Sequence, residues 1–250
     1  MRFALVDGQH HVAQRGLVGH CRGCGAEMVP KCGELKIHHW SHKGRRACDP
    51  WWENETEWHR TWKDFYPVAW QEIRKQADDG EVHIADVRTG KGMVIEFQHS
   101  RIDAMERSAR EAFYKSMIWV VDATRLKRDR SELLCQFELS GKSEFERKTG
   151  FINTYSQSIR IIREWRNSTM NVLFDIGDDK LIFMPRRRYK GCVLLTRWNK
   201  STFIEFSMEL DPTELAQPAS EIIPYLRPRN RNYAKATAPV WNVRLKRARF

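Results

Sequence analysis

The segment IWVVDA, residues 118–123, shows no polar side chain until its aspartate. A strand that is apolar on both faces must be covered on both, so the chain has to build a mixed sheet with helices packed against it. Upstream, AWQEIRKQ, EVHIADVR and GMVIEFQHS read as three strands, with DDG and TGKG as the turns between them. Trp58, Trp62 and Phe65 recur at helical spacing between Glu53 and Tyr66, and Pro67 stops that helix. Ile102, Met105, Ala109, Ala112, Phe113 and Met117 repeat the same period over 102–117 and predict a second helix with an apolar core face. The order helix, three-strand meander, helix, strand is an α/β unit over residues 51–135.

Two further regions flank that unit. Residues 1–50 are rich in Gly, Cys and His, with short strands such as RFALVD and ELKIHHW, and look like a small metal-stapled module. Residues 136–250 follow the charged stretch RLKRDRSELL. There MNVLFDIGDDKLIFMPR and GCVLLTRWNKSTFIEFSMEL read as hairpins, so a β-rich basic region is expected.

With 43 Lys and Arg against 32 Asp and Glu, the net charge is +11. Residues 151–250 hold 18 basic and 9 acidic side chains, so +9 of that charge lies there, and a polyanionic partner is the first expectation. MPRRRYKG, with Arg186, Arg187 and Arg188, and RPRNRNYAK interleave basic and aromatic residues as a phosphate-gripping, base-stacking surface would. A solubilising basic tail is the plainer alternative. No stretch approaches the apolar length of a membrane span, and the first residues lack the apolar core of a signal peptide, so a cytoplasmic protein without membrane partners is expected. Four of six cysteines, Cys21, Cys24, Cys32 and Cys48, crowd into 28 residues. In a reducing compartment that points to a metal rather than disulfides, and Cys21-x2-Cys24 has the spacing of a zinc knuckle.

The acids at the strand ends carry the chemistry. Alternation puts Val82, Ile84 and Asp86 on one face of their strand and Val94, Glu96 and Gln98 on one face of theirs. If the two strands pair through the TGKG turn, Asp86 and Glu96 meet, and two adjacent carboxylates call for a divalent cation such as Mg²⁺. The alternative is that Asp86 caps a turn while Glu96 pairs with an arginine of the following helix. On the first helix Glu55, His59 and Lys63 form a row at i, i+4 and i+8, either a phosphate- and metal-contacting row, with Glu57 in reserve for Glu55, or a solvated charge ladder. On the second, Arg107, Arg110 and Tyr114 form a polar row that either clamps phosphate or is a plain exposed helix face, and Lys115, which follows it, is a further candidate cation.

CRGC (21–24), HWSH (39–42), ETEWHRTWK (55–63), ADV (85–87) and EFQHS (96–100), in this order, resemble the competence protein CoiA-like nucleases of the PD-(D/E)XK superfamily. The resemblance covers about residues 18–125. It implies a restriction-endonuclease-like core and metal-dependent hydrolysis of DNA, with Asp86, Glu96 and the backbone carbonyl of Phe97 binding Mg²⁺ or Mn²⁺. It also implies His39 and His42 as zinc ligands beside Cys21 and Cys24, with Cys32, His38 and Cys48 as substitutes. Gln98 stands where the superfamily usually has Lys; an amide can hold a water but supplies no positive charge. A DNA-binding accessory factor that has lost cleavage is the alternative in a different class.

Overall fold

The computed structural model describes residues 1–44, 48–51, 55–139, 143–154, 159–186, 188–189 and 192–212. Arg187 and the RPRNRNYAK segment, 227–235, lie outside the described residues.

The first unit is a five-stranded antiparallel sheet. Its strands are β1 (Phe3–Val6), β2 (Gln9–Val12), β3 (Gly19–His20), β4 (Glu27–Lys31) and β5 (His39–His42), in the order β2-β1-β3-β4-β5. Trp40 fills its small core against Ala4, Met28 and Cys21. Gly19 is required beneath that ring, since a Cβ there would meet Ala4 Cβ at 2.8 Å and the Trp40 ring at 3.1 Å.

A large mixed sheet follows. Helix α1 (Glu57–Lys63) leads into β6 (Gln71–Gln76), β7 (Val82–Arg88) and β8 (Val94–Gln98), then α2 (Ala104–Tyr114) and β9 (Met117–Asp122). After α3 (Lys127–Leu139) and α4 (Glu144–Thr149) come β10 (Ile152–Thr154), α5 (Arg160–Trp165), β11 (Asn171–Asp175), β12 (Lys180–Met184), β13 (Arg188–Tyr189), β14 (Cys192–Asn199) and α6 (Lys200–Glu209). The sheet order is β10-β14-β12-β11-β9-β8-β7-β6, with β13 beside β14. Strand β9 runs parallel to both β8 and β11, and the other neighbours are antiparallel.

The doubly apolar strand therefore sits where its composition demands. Met117, Trp119 and Val121 of β9 point into a core shared with Tyr114 of α2, Leu133 of α3 and Ile162 and Trp165 of α5. Ile118 and Val120 point the other way, into a core shared with Trp62 of α1 and Phe203 of α6.

Three expectations are corrected. The boundary expected at 135/136 falls inside α3, and β11, β12, β14 and β10 extend the same sheet beyond β9. The second expected hairpin is one strand, β14, followed by a helix: the outer side of β14 is already paired to β10, and Phe203 and Ser207, at i and i+4, turn inward instead. Helix α2 is rotated from the expected face. Met105, 83% exposed, points to solvent, while Arg107, Arg110, Glu111 and Tyr114 are buried. The inward polar face is stabilised because Glu111 accepts hydrogen bonds from Trp119 Nε1 (3.1 Å), the Ser168 hydroxyl (2.7 Å) and the Thr169 amide (2.8 Å), so little of it is left unsatisfied.

A continuous sheet predicts one cooperative unfolding transition. Phe174→Ala, at a fully buried position of β11, should lower stability by about 3–5 kcal/mol. In denaturant titrations, tryptophan fluorescence and far-ultraviolet circular dichroism should shift together, whereas a separate early transition would mark an independent C-terminal domain.

Candidate active site

The register of β7 on β8 sets Val87 opposite Ile95 and Arg88 opposite Val94, and continuing it puts Asp86 opposite Glu96. The backbone ladder ends there, and side chains take over its hydrogen bonds. The Asp86 amide donates to Glu96 Oε1 at 3.1 Å, and the Phe97 amide donates to Asp86 Oδ2 at 3.0 Å. The two strands splay around a pair of carboxylates that have replaced backbone carbonyls as acceptors.

Helix α1 brings a cation to this pair. Its N-terminus is closed by a capping box in which the Thr56 hydroxyl accepts from the His59 amide and His59 Nδ1 accepts from the Thr56 amide. With Nδ1 as acceptor, His59 Nε2 donates to the Phe97 carbonyl at 3.0 Å. One turn later Lys63 is buried, with its Nζ 3.0 Å from Asp86 Oδ1, 3.3 Å from Glu55 Oε1 and 3.3 Å from Glu72 Oε1. Burial alone would lower the Lys63 ammonium, but Asp86, Glu72 and Glu55 outweigh it and hold it well above its ordinary value. Lys63 is thus a fixed positive charge at the place beside Asp86 where Gln98 supplies none.

Glu72 carries no sequence signal of its role. It sits in β6 at the position facing Asp86, yet its φ of +50° lies in the left-handed region, which side chains other than glycine's seldom adopt. That inverted residue receives the amides of Arg2 (2.8 Å) and Phe3 (3.1 Å) as well as Lys63. Burial alone would raise the Glu72 carboxyl, but Lys63 and those amides hold it down to about 2. On Glu96 the balance is reversed. Burial, reinforced by the charge of Asp86, pushes its carboxyl up to about 8 against the pull of Arg110, whose Nη1 lies 3.3 Å from Glu96 Oε2.

These groups line a cavity of about 70 Å³, room for several waters or a hydrated ion, in which five carboxylates face Lys63 and Arg110. Hard oxygen donors in excess over cations fit a divalent ion of the Mg²⁺ class. Tyr114 also lines the cavity, its hydroxyl pushed up by burial. Glu57 is exposed and Glu55 is the member of that pair at the site.

Several expected residues lie elsewhere. Gln98 is outside the cavity, and its amide nitrogen donates to the Ser100 carbonyl at 3.2 Å. Two residues along a strand is about 6.8 Å, enough to carry it past the splayed pair. Arg110 pairs with Glu96 and Glu106, the arrangement in which the acid meets an arginine of the following helix. Arg107 turns to the Glu164 carbonyl and the Trp165 ring. Arg186 bonds through its amide to Asn171, beside Ile118, and Arg188 to the Pro185 carbonyl, both at the other end of the parallel strands.

A candidate metal cluster gathers Cys21, Cys24, His42 and Cys48, whose sulfur and nitrogen atoms all lie within 4.8 Å of one another. Cys21 Sγ is 3.5 Å from Cys48 Sγ and Cys24 Sγ is 3.4 Å from His42 Nε2. His39 is replaced by Cys48 for a geometric reason. Residues three apart on a strand point to opposite faces, so β5 turns His42 inward and leaves the His39 ring on the Ile37 carbonyl at 2.9 Å. Three thiols and an imidazole fit a structural metal such as zinc. Gly23 admits the cluster, since a Cβ there would lie 2.8 Å from Cys48 Sγ.

Cys48 leads directly to the cavity. Asp49 Oδ1 bonds His83 Nδ1 at 2.8 Å and Asp49 Oδ2 accepts the Ile84 amide at 3.0 Å, two residues before Asp86. Trp51 stacks on His83, and its carbonyl accepts from Arg110 Nη2. Asp49, Trp51, Glu72 and His83 are therefore site residues absent from the sequence expectations.

Cys48→Ser should lower bound zinc, read by plasma emission on purified protein, from about one equivalent, while His39→Ala should leave it unchanged. Because the folded Glu72 carboxyl is held near 2 from an ordinary 4.5, its contribution to stability is complete above about pH 4.5 and is lost as the pH falls toward 2. Acid titration of the unfolding free energy should show that loss, and Glu72→Gln should flatten it. No protein-family model, curated protein or solved structure matches the chain, and the reading of the site rests on its geometry.

Proposed function

We propose that this protein is a divalent-metal-dependent nuclease that hydrolyses phosphodiester bonds of DNA, on a core of the restriction-endonuclease type. The observation that carries the reading is the splayed Asp86–Glu96 pair with the Lys63 ammonium 3.0 Å from Asp86. A lysine delivered from α1 answers the departure at Gln98: the charge is retained and comes from a different element.

In this reading Asp86, Glu96 and the Phe97 carbonyl would hold Mg²⁺ or Mn²⁺, which would supply a water of lowered pKa and offset charge on the scissile phosphate. Lys63, held protonated by three carboxylates, acts as an electrostatic partner of the phosphate oxygens rather than as a base. His59 fixes the Phe97 carbonyl, and so the end of β8, through its 3.0 Å hydrogen bond. Arg110, 3.3 Å from Glu96 Oε2, offsets only part of the cost of a charge on that carboxylate. Among the described residues no helix is long and apolar enough to cross a membrane.

The Arg110–Glu96 contact also favours a second reading, a DNA-binding accessory factor without cleavage, because Arg110 Nη1 already stands 3.3 Å from Glu96 Oε2, beside the place a metal ion would take. A cleavage assay in Mg²⁺ and Mn²⁺ separates the two. Wild type should cut, and Asp86→Asn, Glu96→Gln and Lys63→Met should each cut at least about 10²-fold more slowly. Equal cutting by all four rejects the site, and binding without any cutting by wild type selects the accessory reading.

A further inference from the structure

A second cleft opens at the C-terminal ends of β8 and β9, where the chain leaves the sheet as His99–Ile102 and Asp122–Arg125. Its walls carry four arginines against three acids. Every acid is engaged. Asp129 and Glu164 both hold Arg160, and Asp122 accepts from the Thr124 amide and hydroxyl at 2.7 Å each and contacts His99 Nδ1 at 2.8 Å. Arg107 is buried in the wall against Glu164. That leaves Arg101 and Arg125 exposed at the mouth, with no ion pair among the described residues.

His99 joins this cleft to the first cavity. Buried Asp122 accepts from its Nδ1 and so fixes the ring between the two. The His99 ring lies 6.0 Å from that of His59, which lines the Asp86–Glu96 cavity, and 6.0 Å from that of Trp58. A strand with one phosphate in the cavity would carry a neighbouring phosphate across this ring pair to the arginines.

We propose that the cleft is a second phosphate site, in which Arg101 and Arg125 hold a backbone phosphate of the DNA strand whose neighbouring phosphodiester lies at Asp86 and Glu96. Guanidinium groups suit this ligand because their planar donors match phosphate oxygens and remain charged at any working pH. The proposal rests on the nuclease reading for what occupies the first cavity.

The test measures binding of a labelled DNA duplex against salt concentration without added divalent ion, for wild type, Arg101→Ala with Arg125→Ala, and Arg101→Lys with Arg125→Lys. Loss of two phosphate contacts should weaken binding and make the slope of log K against log salt shallower by about 1.8. The lysine pair should keep the wild-type slope, and all three proteins should melt alike, since both positions are exposed. An unchanged slope and affinity in the alanine pair overturns the proposal. So does a result in which inorganic phosphate raises the melting temperature of wild type but not of the alanine pair while DNA binding stays the same, because the cleft then takes free phosphate rather than a strand. Cleavage in Mg²⁺ is followed in parallel: if wild type does not cut, the nuclease reading fails, and the salt slopes still decide the cleft.

Discussion

The ammonium of Lys63, buried among Asp86, Glu55 and Glu72, is the contact on which the site depends. Three carboxylates brought together out of water would repel, and removing one partner of a buried pair typically costs about 3–5 kcal/mol. One cation holds three segments in place: the lead-in to α1 through Glu55, β6 through Glu72 and β7 through Asp86. Glu72 extends the network further, since its oxygens also receive the amides of Arg2 and Phe3 and so anchor the first strand of the cysteine-rich unit.

The group Cys21, Cys24, His42 and Cys48, which could hold a metal, is the second anchor of the same cavity. Cys48 is followed by Asp49, which reaches His83 and the Ile84 amide on β7, and by Trp51, whose carbonyl receives Arg110. A metal at Cys21, Cys24, His42 and Cys48 would fix the start of this path, which reaches β7 two residues before Asp86 and, through Arg110, Glu96. The small unit thus forms one wall of the cavity, contributing Met1, His42 and Cys48 to its lining.

Periodicity was legible where packing asks one thing of a segment. The apolar run of β9 is covered on both faces, and Asp86 and Glu96 meet because the TGKG turn sets the register. It failed where two patterns fit the same residues. Helix α2 offered an apolar stripe and a polar one, and the polar stripe won because each of its members found a partner on the buried side: Arg110 meets Glu96 of β8, Glu111 accepts from Trp119 of β9 and Thr169, and Arg107 donates to the Glu164 carbonyl of α5. The run after β14 suited a strand or a helix, and the helix formed where β14 had no free edge left.

From the sequence alone followed the α/β class, the paired carboxylates, His59 and Lys63 one turn apart on the same helix face, and the clustering of thiols; Glu55 reaches Lys63 from the lead-in before the helix cap rather than from the helix itself. These are local facts, since strand alternation, helical spacing and chain proximity are set by backbone geometry. Tertiary structure alone decided that Cys48 rather than His39 joins Cys21, Cys24 and His42, that Glu72 adopts a positive φ to meet Lys63, and that Gln98 lies past the cavity. Each of those outcomes depends on which distant groups are buried together, because an electrostatic or hydrogen-bond partner far away in the chain leaves no mark on the spacing of residues around it.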